Sequence, residues 1–225
     1  MRTKYKKLLL IVVLAMVYFL ISINTEGFYM IRTKGRCNNT MAEMKELREL
    51  ILDTHYTLNL FKVTHFLAYG SLWGALRYND IIPWDYDFDF GIVQEDIQSL
   101  DADKMIDAFI KKDIKLEYSA YGGFYKVRRH NVSGDLMVFS EYYQDGIMRR
   151  TGFESWIFFI QYRWYHQFPS YLIKKPLPLH QFIGKDLPVP RDGIEIQKHF
   201  YPNNWWKETI PEGCNRKSLV AQTVQ

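Results

Sequence analysis

The chain has 225 residues, 48% of them hydrophobic and 16% aromatic: enough for one domain with a real core and a short appendage, and too few for two comfortable domains. Its formal net charge of +4 argues against a nucleic-acid-binding face, because the excess is confined to Arg2, Lys4, Lys6 and Lys7. Of 29 basic residues, those beyond these four match the 25 acidic ones, so no basic patch is left over for a polyanion.

The basic tail at 1–7 leads into an uninterrupted apolar run from Leu8 to Ile23. As a helix that run is roughly 24 Å long, short for an average bilayer and closer to the thinner membranes of the early secretory pathway. A cleaved signal peptide wants small residues at its cut site, for which Ser22-Ile23-Asn24 is a poor candidate, and a buried core helix needs no basic flank; the cleaved peptide stays the alternative. The expectation is an uncleaved transmembrane signal anchor at 8–23, single-pass and type II, with a cytosolic tail, a short stem at 24–40 and a lumenal domain at 41–225. In an oxidising lumen Cys37 and Cys214 have the option of pairing, two free thiols being the alternative. Asn38-Asn39-Thr40 and Asn131-Val132-Ser133 fit the glycosylation acceptor pattern.

Met41 to Val63 carries apolar residues at near-helical spacing, and Phe66 to Tyr69 reads as a brief strand ending at Gly70-Ser71. A short helix is expected over Leu72 to Tyr78, with Pro83 breaking the chain before Trp84. Asp85 to Val93 alternates acidic with aromatic or aliphatic residues, the period of a strand. Glu95 to Lys112 suits one helix that buries Ile97, Leu100, Met105, Ile106, Phe109 and Ile110. Strands follow at Ile114 to Tyr118, Phe124 to Arg128 and Leu136 to Phe139, the first two joined through Gly122-Gly123. Trp156 to Phe168 is intensely aromatic, Pro176 to Pro190 is punctuated by proline, and Ile194 to Phe200 suits a closing helix. Helices and strands in this order suggest one α+β domain behind the anchor.

Asp85-Tyr86-Asp87-Phe88-Asp89 carries the chemistry. On a strand these carboxylates share one face, while Tyr86, Phe88 and Phe90 take the other and anchor it in the core. Clustered carboxylates repel unless a cation neutralises them, and all-oxygen ligation points to Mg²⁺ or Mn²⁺. A calcium loop of the EF-hand type would need glycine at its sixth position, where Phe90 stands. A merely solvated acidic edge is the bland alternative. Gly70-Ser71, between a strand and a helix, offers backbone N–H groups close approach to a phosphate. Arg77, Lys126, Arg128 and Arg129 are candidates for phosphate contacts, with solvated surface cations as the alternative. Trp84 is a candidate to stack on a base or to fill the core. His65, His130, His166 and His180 show no ligand spacing and read as structural or exposed.

A Gly-Ser turn followed by a strand of alternating aspartates resembles the nucleotidyltransferase superfamily motif, whose fold is a mixed sheet flanked by helices. The longer segment Tyr69-Gly70-Ser71-Leu72-Trp73-Gly74-Ala75-Leu76-Arg77, then Ile81-Ile82-Pro83-Trp84-Asp85-Tyr86-Asp87-Phe88-Asp89, is similar to the signature of the LicD family, especially its fukutin-related members. The likeness continues through Gly122-Gly123-Phe124-Tyr125-Lys126-Val127 and Gly134-Asp135-Leu136, and more loosely through Pro176-Leu177-Pro178-Leu179 to Phe200-Tyr201-Pro202. The resemblance implies transfer of a phosphorylated alcohol, of the ribitol phosphate or phosphocholine type, from a CDP-activated donor to a glycan or glycoprotein in the Golgi or ER. It puts Asp87 and Asp89 at the metal positions and Asp135 at a third carboxylate position, as metal ligand or proton acceptor. Gly70, Ser71, Arg77 and Lys126 are then candidates to hold the donor. Tyr86 departs from the acid that many bacterial members carry there. A nucleotidyltransferase using a nucleoside triphosphate directly and an inactive glycan- or partner-binding relative stay open as other readings.

Overall fold

In the computed structural model the described residues are 4–18, 39–153, 166–210 and 214. The alternating segment forms strand β2 (Asp87–Val93), with Phe88 and Phe90 fully buried beneath it. It begins two residues later than the alternation suggests, so Tyr86 lies in the irregular stretch before it and is 44% exposed rather than anchoring the core. Five strands follow the order β1-β2-β5-β4-β3, where β1 is His65–Leu67, β3 Lys115–Ser119, β4 Phe124–Arg129 and β5 Val132–Ser140. β2 and β5 run parallel and the other neighbours antiparallel, which makes the sheet mixed. Two short strands, β6 (Ile147–Arg150) and β7 (Phe168–Pro169), extend it from the end of β5.

Helix α1 spans 4–18 with its apolar side chains exposed, Leu9 at 65% and Ile11 at 62%. Among the described residues no helix is long and apolar enough to cross a membrane. The last part of the expected anchor, 19–23, lies outside them, as do the stem residues 24–38 with Cys37 and Asn38, and the aromatic stretch 156–165. Helix α2 (Met41–Leu60) opens on a capping box in which Thr40 and Glu43 satisfy each other's backbone N–H groups. Its buried side, including Leu47, Leu50, Ile51 and Leu58, packs on the sheet through β5, β4 and β2. Helix α3 (Tyr69–Tyr78) follows β1 and lies against β2. The stretch expected as one helix is two, α4 (Gln94–Gln98) and α5 (Ala102–Ile110), because Asp101 caps the second by accepting from Lys104 N–H. Only Met105 and Phe109 of α5 are buried, and Ile110 is 61% exposed.

The proline-punctuated region holds a hairpin of β8 (Leu179–Phe182) and β9 (Lys185–Pro188), and α6 (Gly193–Phe200) closes the fold on α3. Asn131 is exposed in the turn between β4 and β5. Cys214 is disulfide-bonded.

Candidate active site

Strand register assembles an acid face. Asp89 on β2 stands beside Asp135 on β5, and Lys126 on β4 stands beside Asp135 from the other side. In-register neighbours point the same way, and Asp87, two residues before Asp89, joins them. Lys126 Nζ is 2.8 Å from Asp135 Oδ1, an oxygen that is buried yet has no partner in good hydrogen-bond geometry. Asp85 precedes the strand, its N–H donating to Ile82 O at 2.8 Å, and its carboxyl hydrogen-bonds that of Asp87.

One ammonium among four carboxylates leaves the cluster short of positive charge. Burial, then the Asp87 charge and the hydrogen bond to it, push the Asp85 carboxyl well above the ordinary range. Burial, then the charges of Asp87, Asp135 and Asp85, do the same to Asp89 against the pull of Lys126. Asp87 is raised too, by burial first, with Lys126 opposing. Such a set fits a hard divalent cation in charge and in donor chemistry, and Asp135 Oδ1, ion-paired to Lys126 but without a well-formed hydrogen bond, offers it a contact. The arrangement is open rather than a finished cage. Among the described residues no three of His, Cys, Asp and Glu stand together as a metal site.

The start of α3 is clamped to this strand. Ala68 N–H donates to Asp89 O at 3.1 Å, and Ser71 Oγ accepts from Asp89 N–H at 2.9 Å. Ser71 thus pins the turn to the acids. Gly70 lies so close that an added methyl would sit 2.7 Å from Asp85 Oδ2; only glycine leaves that carboxyl in place. Tyr69 takes a φ of 46°, a strained value for an aromatic residue. Three contacts hold it there: its ring stacks on Phe200 at 4.2 Å, Gln197 Nε2 donates to its carbonyl at 2.8 Å, and its hydroxyl meets His166 Nδ1 at 3.0 Å.

Further side chains, to which no role in the site could be assigned from sequence, close it. Arg150, buried, donates from Nη2 to Gly122 O at 2.8 Å. Burial and then the Arg150 charge depress His166 to about 3, so its ring is neutral at physiological pH. Burial, followed by the charges of Asp89, Tyr69, Asp85 and Asp87, raises the Tyr201 phenol well above its ordinary value, which sets Tyr201 against the acids. No spacing pattern links Arg150, His166 and Tyr201 to β2. The loose likeness at Phe200-Tyr201-Pro202 is the one signal that touches any of them.

Of the basic candidates, only Lys126 reaches the acids. Arg77 is exposed, lies over Trp73 at 3.9 Å from the ring centroid and donates to Trp205 O at 3.4 Å. Arg128 pairs with Glu117 at the surface. Arg129 points through the sheet to α2, where it meets Glu46 and Asp53. Among the histidines, His65 is buried against His55, His130 is exposed, and His180 meets Ala75 O.

The family model described as LicD/FKTN/FKRP, nucleotidyltransferase domain, matches residues 62–192, a span that holds the turn and all four acids. The human Ribitol 5-phosphate transferase FKRP is 29% identical over 153 residues, covering 63% of this chain and 29% of its own length. The mouse protein of the same name is 30% identical over the same extent. An uncharacterized protein of Rickettsia prowazekii (strain Madrid E) is 42% identical over 50 residues, 22% of this chain and 19% of the relative. The chain therefore spans less than a third of the curated relatives it matches. With its family model covering more than half of the sequence, the chain belongs to the LicD family.

Proposed function

We propose that the chain transfers a phosphorylated alcohol, of the ribitol phosphate type, from a CDP-activated donor to a glycan or glycoprotein hydroxyl. The observation that carries the reading is the undercompensated acid row of Asp87, Asp89 and Asp135 beside Lys126. Family membership and the two ribitol 5-phosphate transferases among its relatives support a transferase and favour this donor type. Asp87, Asp89 and Asp135 would hold Mg²⁺ or Mn²⁺, which supplies positive charge for the donor's diphosphate.

In this mechanism Lys126 offsets negative charge on the transferred phosphate once Asp135 has another partner. The acceptor oxygen forms its bond to the phosphorus next to the alcohol as the bond from that phosphorus to the bridging oxygen breaks, and CMP leaves. Asp135 would complete the metal site or take the acceptor's proton. Tyr69, Tyr201 and Phe200 keep bulk water from one wall. The apolar run at Leu8–Ile23 favours a signal anchor and a Golgi or ER setting, and the disulfide at Cys214 suits an oxidising lumen.

A donor screen tests the reading: the purified protein is offered CDP-ribitol, CDP-choline, CDP-glycerol and free triphosphates with Mg²⁺ or Mn²⁺ and a glycan acceptor. CMP release from a CDP-alcohol, lost in Asp89→Asn, is the expected result. Diphosphate release from a triphosphate would move the chain to direct nucleotidyl transfer, and no turnover with any donor would favour an inactive binding relative.

A further inference from the structure

The acceptor pattern Asn131-Val132-Ser133 falls at the one place between β4 and β5 where bulk can be added without touching the sheet. The last rung of that pair is Arg129 opposite Val132, so His130 and Asn131 form a two-residue tip, with His130 at a φ of 50°. Asn131 is exposed there and Ser133 is half-buried on β5. A tip beyond the last rung is surface that tolerates a large polar appendage.

A second observation lies beside it. Asp87 and Ser133 are paired on parallel strands, and the chain before each brings Tyr86 and Asn131 to one small notch, shared with Asn39, Glu43 and Ser133. The notch holds about 40 Å³, far below the roughly 300 Å³ of a pocket that encloses a ligand, so a group attached at Asn131 lies over it rather than inside. Tyr86, 44% exposed at its rim, supplies an aromatic face. The C–H face of a pyranose is weakly positive and packs on the negative face of such a ring. We propose that Asn131 carries an N-linked glycan whose first sugar rests on Tyr86 at the edge of the acid face. In the covalent step Asn131 Nδ2 bonds to the anomeric carbon of a lipid-diphosphate oligosaccharide; the anomeric C–O bond breaks, the lipid diphosphate leaves and the amide gives up one proton. The assignment rests on the lumenal setting proposed above and gives a role to Tyr86, which the transfer chemistry leaves unused.

Peptide mass mapping of the full chain, made in cells with a secretory pathway and extracted in detergent, tests the site. Most copies should carry a glycan at Asn131, and Asn131→Gln should migrate as a lighter band. A bare Asn131 in a chain whose C-terminal tag is protected from protease in sealed microsomes would overturn the proposal and leave the lumenal setting standing. A tag open to protease would overturn both. The seat on Tyr86 has its own readout. Asn131→Gln should lower Tm by about 2–4 °C, the scale of one aromatic contact in a chain of this size; Ser133→Ala, which also ends the acceptor pattern, serves if that variant fails to fold. In a Tyr86→Leu background, where bulk remains without the π face, the same loss of glycan should leave Tm nearly unchanged. If Tyr86→Leu fails to fold, Tyr86→Trp should enlarge the drop. Equal drops in wild type and in the Tyr86 background would overturn the seat.

Discussion

The sheet carries a charge cluster on each face, and the two are built on opposite plans. Lys126 and Arg129, three residues apart on β4, point to opposite sides. On the α2 side Arg129 meets Glu46 and Asp53, with Nη1 2.6 Å from Asp53 Oδ2, and Lys112 Nζ meets the other Asp53 oxygen at 2.6 Å. Burial tends to raise the Asp53 carboxyl, but hydrogen bonds from Lys112 and Arg129 bring it below its ordinary value. On the opposite side one lysine serves four aspartates, and Asp85, Asp87 and Asp89 are raised. Matched charge fastens a helix to a sheet. Unmatched charge of one sign costs folding free energy and makes sense where something positive is to be bound.

The largest contrast should come from substitutions on the acid face. Asp89→Asn is expected to lower transferase turnover about a hundredfold to a thousandfold, the scale seen when a preorganised electrostatic partner is removed. It should also raise the melting temperature of the cation-free protein. The sign follows from Asp89 having a raised folded pKa: above that value the charged group opposes folding, and an amide removes the opposition. A Tm that falls with activity would mark Asp89 as a packing residue.

Arg129→Ala should do the reverse, keeping any response to divalent cations and costing about 3 kcal/mol, because it takes the guanidinium from Glu46 and leaves Asp53 with Lys112 alone. For a chain of this size that is about 2–4 °C of Tm per kcal/mol. A loss below about 1 kcal/mol in denaturant unfolding would show that the network only decorates the surface.

His65 gives a pH test away from both clusters. Val63 O, an acceptor only, takes the proton on His65 Nδ1 at 2.8 Å, so His65 Nε2 accepts from His55 Nδ1 at 2.8 Å. That arrangement requires neutral rings, and burial depresses His65 from 6.5 to about 4. The unfolded chain takes up this proton first as pH falls. The stability concerned is complete above pH 6.5 and lost by about pH 4; at about 1.4 kcal/mol per pH unit it amounts to about 3 kcal/mol. Urea unfolding of wild type and His65→Gln across that window should show the flatter profile in the variant, the acid face contributing alike to both. Parallel profiles would dismiss the pair as a sensor of pH.

Part of the acid face was legible in the sequence, because period-two alternation obliges a strand to present Asp87 and Asp89 together, while Asp135 was legible only through the family likeness. The fold class followed from the order of periodic segments. What was not legible depended on register and crossovers. Nothing in spacing says that Lys126 rather than Arg129 faces the acids until β4 is paired with β5, and nothing brings Arg150 or His166 to Tyr69. The split of one expected helix into α4 and α5 turned on Asp101, whose capping role competes with an apolar pattern that runs through it. Arg77 lay in a matching motif, yet a short helix carried it over Trp73, clear of the acids. The smallest expected effect belongs to Arg128, whose exposed pair with Glu117 is screened by solvent: Arg128→Ala should leave turnover and Tm nearly unchanged.

The contrast between matched and unmatched charge is tested most directly by thermal unfolding of chelator-treated protein against increasing Mn²⁺. A cation that binds only the folded state stabilises it by an amount that grows with the logarithm of its concentration above Kd. Wild type and Arg129→Ala should both show a rising Tm, while Asp87→Asn and Asp89→Asn should start higher and stay flat. A wild-type Tm that does not move with Mn²⁺ or Mg²⁺, with or without CDP, would contradict the account.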